Sequence, residues 1–167
     1  MSGKKITQKN IDIYLKKNNS NKDNINLITQ YFQSDNKKRF KENLYCLYKN
    51  INNPYINTIY LLNEKIYTAE ELRLDTIPEK VIQINIGKRL MFKDIFEFIN
   101  KNNIKGYLII SNLDIFFNST LKNIFKTSLM VKKSVYCQLR FEFFKKNHIK
   151  MNIKRSCSQD TWIYHSN

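Results

Sequence analysis

By type and spacing, Asn112 and Asp114 are the residues of this sequence best placed to do chemistry. They follow the apolar run Tyr107-Leu108-Ile109-Ile110, within the stretch S-N-L-D-I-F-F-N at 111–118. In an extended chain side chains alternate, so N-x-D puts an amide oxygen and a carboxylate on one side. Two such hard oxygens can hold Mn2+ or Mg2+. A cation there can bridge the phosphates of a nucleoside diphosphate and neutralise a leaving group. An aspartate after a strand also serves as a turn former or a helix cap, so spacing alone leaves both roles open.

Other chemistries are poorly supplied. His148 and His165 are the only histidines, too few for a His-based metal site or a comfortable Ser-His-Asp triad. Cys46, Cys137 and Cys157 are odd in number and far apart, with neither a C-x-x-C pair nor a zinc spacing, which predicts free thiols in a reducing compartment. Cys157 lies beside Arg155, but no second thiol or base accompanies it. No run approaches about 18 apolar residues, and the start lacks a secretory core; the expectation is a cytoplasmic chain without a membrane span.

The formal net charge is +15, an excess that attracts polyanions such as nucleic acid, acidic lipid or phosphates. Lys, Asn and Ile dominate the chain, and their AT-rich codons offer a second origin for the same charge. The run Phe141, Phe143, Phe144, Lys145, Lys146 mixes rings and cations, a pattern that either stacks on single-stranded nucleic acid or forms a strand edge with a charged end.

The elements that must position these residues alternate. Residues 1–23 read as an N-terminal extension, with Ile6, Ile11, Ile13, Tyr14 and Leu15 before a polar break, and 24–167 as one domain. Strands are predicted at Ile25 to Phe32, Ile56 to Leu62, Val81 to Ile86, Tyr107 to Ile110 and Val135 to Phe143, with a short final one in Ser158 to His165. Phe40, Leu44, Leu47 and Ile51 mark one helix face; Phe92, Ile95, Phe96 and Ile99 mark a second. A third, capped by Asn118 or Ser119, shows Leu121, Ile124, Phe125 and Leu129. This alternation predicts an α/β, Rossmann-like, mainly parallel sheet with helices on both faces. Ligands then bind beyond the carboxyl ends of the strands.

The stretches G-K-R-L-M-F-K-D-I-F-E-F-I-N, G-Y-L-I-I-S-N-L-D-I-F-F-N and S-Q-D-T-W-I-Y, in this order, resemble a family of GT-A-type glycosyltransferase-like proteins of bacteria and large DNA viruses. That family carries a D-x-D-like signature, often N-S-D-I-x-F-D, and a later S-x-D-x-W-I-F element. The resemblance covers residues 25 to 167. It implies a GT-A-like fold and a nucleotide-diphosphate sugar as donor, with a glycan or protein acceptor. It implies Asp114 at the metal and diphosphate position and Asn112 in the first place of the triplet. Thr29 would face the nucleotide, Tyr31 would stack on its base and Glu64 would read base or ribose. Lys88 and Arg89 would meet the diphosphate, and Asp160 would lie on the acceptor side. In an inverting enzyme Asp160 would take the acceptor proton; a retaining enzyme needs no such base. Arg140 reads as a donor contact or as a partner of Glu142, and Trp162 as a sugar platform or a core anchor.

Two departures stand out. Asn112 and Asn118 occupy places that are acidic in many relatives, which leaves one carboxylate where those have two. The chain also stops just after the S-x-D-x-W element, where related domains continue. The alternative reading is therefore a catalytically degenerate basic binding protein for nucleic acid or another polyanion.

Overall fold

Five consecutive residues, Ile25–Thr29, form β1, and all five are buried. A strand buried on both faces must be covered on both. The computed structural model describes residues 23–139, 141–145, 148–151 and 159–166. In chain order the elements are β1, α1 (Lys37–Ile51), β2 (Thr58–Asn63), β3 (Val81–Asn85), α2 (Phe92–Lys101) and β4 (Tyr107–Ser111). A 3-10 helix (Ser119–Lys126), α3 (Leu129–Lys132), β5 (Val135–Gln138), β6 (Phe141–Lys145), β7 (His148–Met151) and β8 (Thr161–His165) follow.

β1 pairs in parallel with β2 and β4, and β2 with β3. β8 enters antiparallel between β4 and β5. The protein is therefore α/β and Rossmann-like, with a six-stranded, mostly parallel sheet. Ile25, Leu27, Ile59, Leu61 and Ile109 face Leu47 of α1 and Leu121, Ile124 and Leu129 on one side. Ile28, Tyr60, Leu62, Leu108 and Ile110 face Ile95 and Ile99 of α2 on the other. Each fully buried aliphatic side chain contributes roughly 1.5–3 kcal/mol. Among the described residues no helix is long and apolar enough to cross a membrane.

Local chemistry sets the helix ends. Asn36 Oδ1 accepts from the Lys38 and Arg39 amides at 3.0 and 3.2 Å, starting α1, a cap worth about 1 kcal/mol. Asp94 Oδ2 accepts from the Met91 amide at 3.0 Å and starts α2. Gly106 (φ +107°) opens β4; a Cβ there would lie 2.3 Å from the Asn24 carbonyl oxygen, so only glycine lets β4 close on the entry to β1.

Three expectations change. The stretch Val135 to Phe143 is not one strand: it divides into β5, an exposed sheet edge, and β6, which pairs with β7 as a separate hairpin. The third helix is mostly 3-10, with Asn118 as its cap. The final strand is central, pairing with both β4 and β5. Residues 1–22 of the expected N-terminal extension, Arg140 and Cys157 lie outside the described residues.

Candidate functional site

Strand order reverses direction at β1, because β2 and β3 lie to one side and β4 to the other. At such a reversal the loops after neighbouring strands leave in opposite directions, and the carboxyl ends there, here of β1 and β4, are the usual ligand position of open α/β sheets. Ile28 pairs with Ile110, so Thr29 and Ser111 come next, side by side at the rim. Asp114 follows three residues later.

The chain does not remain extended to Asp114. It turns at Leu113–Asp114, and the Ile115 amide donates to the Asn112 carbonyl at 3.3 Å. The alternation that would put Asn112 and Asp114 on one side therefore ends at Ser111, and the two engage different partners. The Asn112 Nδ2 donates to Asp160 Oδ1 at 2.9 Å, and the Asn112 amide to the Asp160 carbonyl at 3.1 Å. Asp114 turns toward α1, where Arg39 Nη2 donates to its Oδ2 at 3.4 Å.

One stripe of α1 faces this loop. Arg39, Asn43, Cys46 and Asn50 recur at helical spacing. Asn50 grips the loop directly: its Nδ2 donates to the Ile115 carbonyl at 2.9 Å, and its Oδ1 accepts from the Phe117 amide at 3.0 Å. The Cys46 thiol is pushed up to about 12, first by burial and then by the negative charges of Asp114 and Glu42. Asp114 thus lends its field to the interior of this stripe.

Several polar atoms here have no hydrogen-bond partner. They are Thr29 Oγ1, both side-chain atoms of Asn43, and Asp114 Oδ1. Thr29 is 5% exposed and Asn43 0%. A buried polar group left unpaired costs about 1–3 kcal/mol, so such a concentration calls for an explanation in function. The Arg39–Asp114 contact is long, and Arg39 is 52% exposed. An ion pair of that kind stabilises by little, and its guanidinium is easily surrendered to a phosphate.

The other expected residues distribute unevenly. Tyr31 cannot stack on a base: it is fully buried, edge-on to Tyr67 at 4.7 Å between ring centroids. Two residues past β1, it packs in the core cluster that includes Leu47 of α1, and burial pushes its hydroxyl up to about 12. Glu64 is exposed just past β2. Lys88 is committed to α2, with its Nζ 2.6 Å from Asp94 Oδ1. Arg89 is exposed beside it. Gln30 brings that loop to the rim, donating to the Leu62 and Lys88 carbonyls at 3.1 and 2.9 Å and accepting from the Leu90 amide at 3.1 Å. Asp160 is buried at the start of β8 beside Ser111, whose hydroxyl lies 3.2 Å from that of Thr161. Trp162 packs edge-on to Phe92 at 5.0 Å.

Sequence reasoning missed Arg39 and Asn43, whereas Gln30 lies among the strand-end positions where a ligand is expected. The signal was present in α1: a polar row, 39-43-46-50, runs parallel to the apolar row Phe40-Leu44-Leu47-Ile51.

These donors do not fit a resident divalent cation. Asp114 offers one carboxylate with a guanidinium already on one oxygen, and Asn112 is turned to Asp160. Among the described residues no group of three or more His, Cys, Asp or Glu could hold a metal ion. Neither a protein-family model nor a curated protein matches the chain.

Proposed function

We propose that the β1/β4 crevice binds a nucleotide-diphosphate sugar and that the domain is a glycosyltransferase-like scaffold. The observation that carries this reading is Asp114 at the strand-order reversal, with a buried, unpartnered Oδ1 and an exposed Arg39 on its other oxygen. Carboxylates at such crevices accept hydrogen bonds from sugar hydroxyls. Arg39 supplies a fork for the diphosphate, and Arg89, on the loop that Gln30 draws inward, supplies a second cation. Thr29 and Asn43 give the crevice a polar floor. The order of the three sequence elements quoted above supports the same reading.

In the transfer step, an acceptor hydroxyl oxygen bonds to the sugar C1 while the C1–O bond to the diphosphate breaks. The nucleoside diphosphate leaves with the electron pair. Asp160, whose carboxylate Asn112 orients, is the chain's base for the acceptor proton.

The test is a melting scan with uridine and guanosine diphosphates, with chelator and with Mg2+ or Mn2+. A ligand at one hundred times its dissociation constant stabilises by about 2.7 kcal/mol. That corresponds to a rise of roughly 5–10 °C for a chain of this size. Asp114→Ala should abolish the rise. A flat response across the whole panel contradicts the proposal.

A further inference from the structure

A second surface lies on the outer side of α1, away from the stripe that faces Asp114. Here α1 and the loop 72–74 enclose a groove of about 310 Å3, lined by Lys41, Leu44, Tyr45, Leu47, Tyr48, Leu72, Arg73 and Leu74. Its floor is leucine. Its walls are two tyrosines, 41% and 57% exposed, and two cations. No lining residue is acidic. Arg73 is held in the left-handed region at φ +54°, an uncommon conformation for a side chain of that size. Backbone bonds fix it there: the Arg73 amide donates to the Glu70 carbonyl, and the neighbouring Leu74 amide to that of Ala69.

The helix beside the groove is predominantly basic. Besides Arg39, which turns to Asp114, helix α1 carries Lys37, Lys38, Lys41 and Lys49 against the single acid Glu42. Lys49 lies over the Tyr45 ring at 5.5 Å. Tyr45 also stacks on Phe143 of β6 at 6.0 Å and meets Phe116 edge-on at 5.7 Å, which extends the aromatic surface toward the hairpin. Outside the lining, Glu70 and Asp75 are the nearest acids in the loop, and Glu71 is paired with Lys65.

We infer that this basic, aromatic face of α1 binds single-stranded nucleic acid. Rings that stack on bases, interleaved with cations that follow a phosphate backbone, are the chemistry such a strand requires. A protein ligand with acidic side chains would use the lysines and leave the exposed Tyr48 ring unused. A duplex hides the base faces those rings offer. The surface differs from the crevice proposed for the sugar nucleotide, so the two functions fail or stand separately.

The experiment is fluorescence anisotropy with a labelled oligothymidylate of about 16 nucleotides, the upper end of a single-stranded site, over a salt series. The expected result is binding that falls linearly in log salt. The double substitution Lys41→Gln/Arg73→Gln should lower that slope by about 1.4, or about 0.7 for each lost phosphate contact. Tyr48→Ala should weaken binding roughly 5- to 100-fold at fixed salt. Both variants should keep the wild-type melting temperature and the nucleotide-induced rise, which shows that the fold and the crevice are intact. The inference is overturned by absent binding at low salt, or by binding that neither variant changes. It is also overturned if the same residues capture phosphatidylserine vesicles while the oligonucleotide stays free.

Discussion

Asn63, at the end of β2, and Gln83, in the middle of β3, are buried and engaged. Asn63 Oδ1 accepts from the Tyr31 amide at 2.8 Å, and its Nδ2 donates to Gln83 Oε1 at 3.1 Å. Gln83 then closes both backbone groups of Tyr67, at 3.0 and 2.7 Å. At the ends of β1 and β4, one and two strands away, Thr29, Asn43 and Asp114 are just as polar, yet four of their atoms have no partner. Depth alone cannot explain the contrast, because Asn43 and Asn63 are both 0% exposed. The first cluster pins the loop 64–67 to the sheet and so serves the fold. The second is costly to the fold, and it lies at the strand-order reversal, where open α/β sheets bind their ligands. Polar burial that is satisfied reads as architecture, and polar burial that is unsatisfied reads as a site.

The largest effect should come from breaking the satisfied cluster. Gln83→Leu orphans Asn63 Nδ2 and both Tyr67 backbone groups. Chemical denaturation should show a loss of about 3–5 kcal/mol, since each orphan costs about 1–3 and such losses overlap. Asn43→Leu should act in the opposite direction. It removes two unpaired atoms and should stabilise the protein by about 1–2 kcal/mol while diminishing the nucleotide-induced rise in melting temperature. A destabilised Asn43→Leu protein with an unchanged nucleotide response would erase the distinction between the two clusters.

A smaller effect concerns Tyr31, whose amide belongs to the first cluster and whose hydroxyl is buried without a partner. Folded Tyr31 and Cys46 hold their protons up to about 12, above their ordinary values of 10.0 and 9.0. The folded chain therefore binds more protons than the unfolded one between those values, and stability falls as pH rises through that window. Below about pH 9 the contribution is complete. Thermal scans from pH 8 to 11 should show the decline, and Tyr31→Phe should flatten its upper part while changing neutral stability by less than about 1 kcal/mol.

Much of the fold was legible because its signals are local. Tyr107 to Ile110 is continuously apolar, as a strand covered on both faces must be. Phe40, Leu44, Leu47 and Ile51 repeat with the helical period inside α1. The placement of β8 was not legible, because it depends on pairing with β4 some fifty residues earlier, and nothing in T-W-I-Y-H states direction or neighbour. The division between β5 and β6 was hidden for a related reason: Val135 to Phe143 has strand propensity throughout and no glycine or proline to mark the break. The site was half legible. Asp114 announced itself at a strand end, but the turn at Leu113–Asp114 rotated it away from Asn112 and toward α1. Its partners there were masked by a stripe of leucines one residue over.

The proposed function requires Asp114 and the rim of β1 to meet a nucleoside diphosphate. Amide-resolved NMR during titration with uridine or guanosine diphosphate tests this most directly. Saturable shifts should concentrate at Gln30, Tyr31 and 112–115, with those at Lys41, Tyr48 and Arg73 small. Shifts absent for both nucleotides, or confined to the outer face of α1, would contradict it.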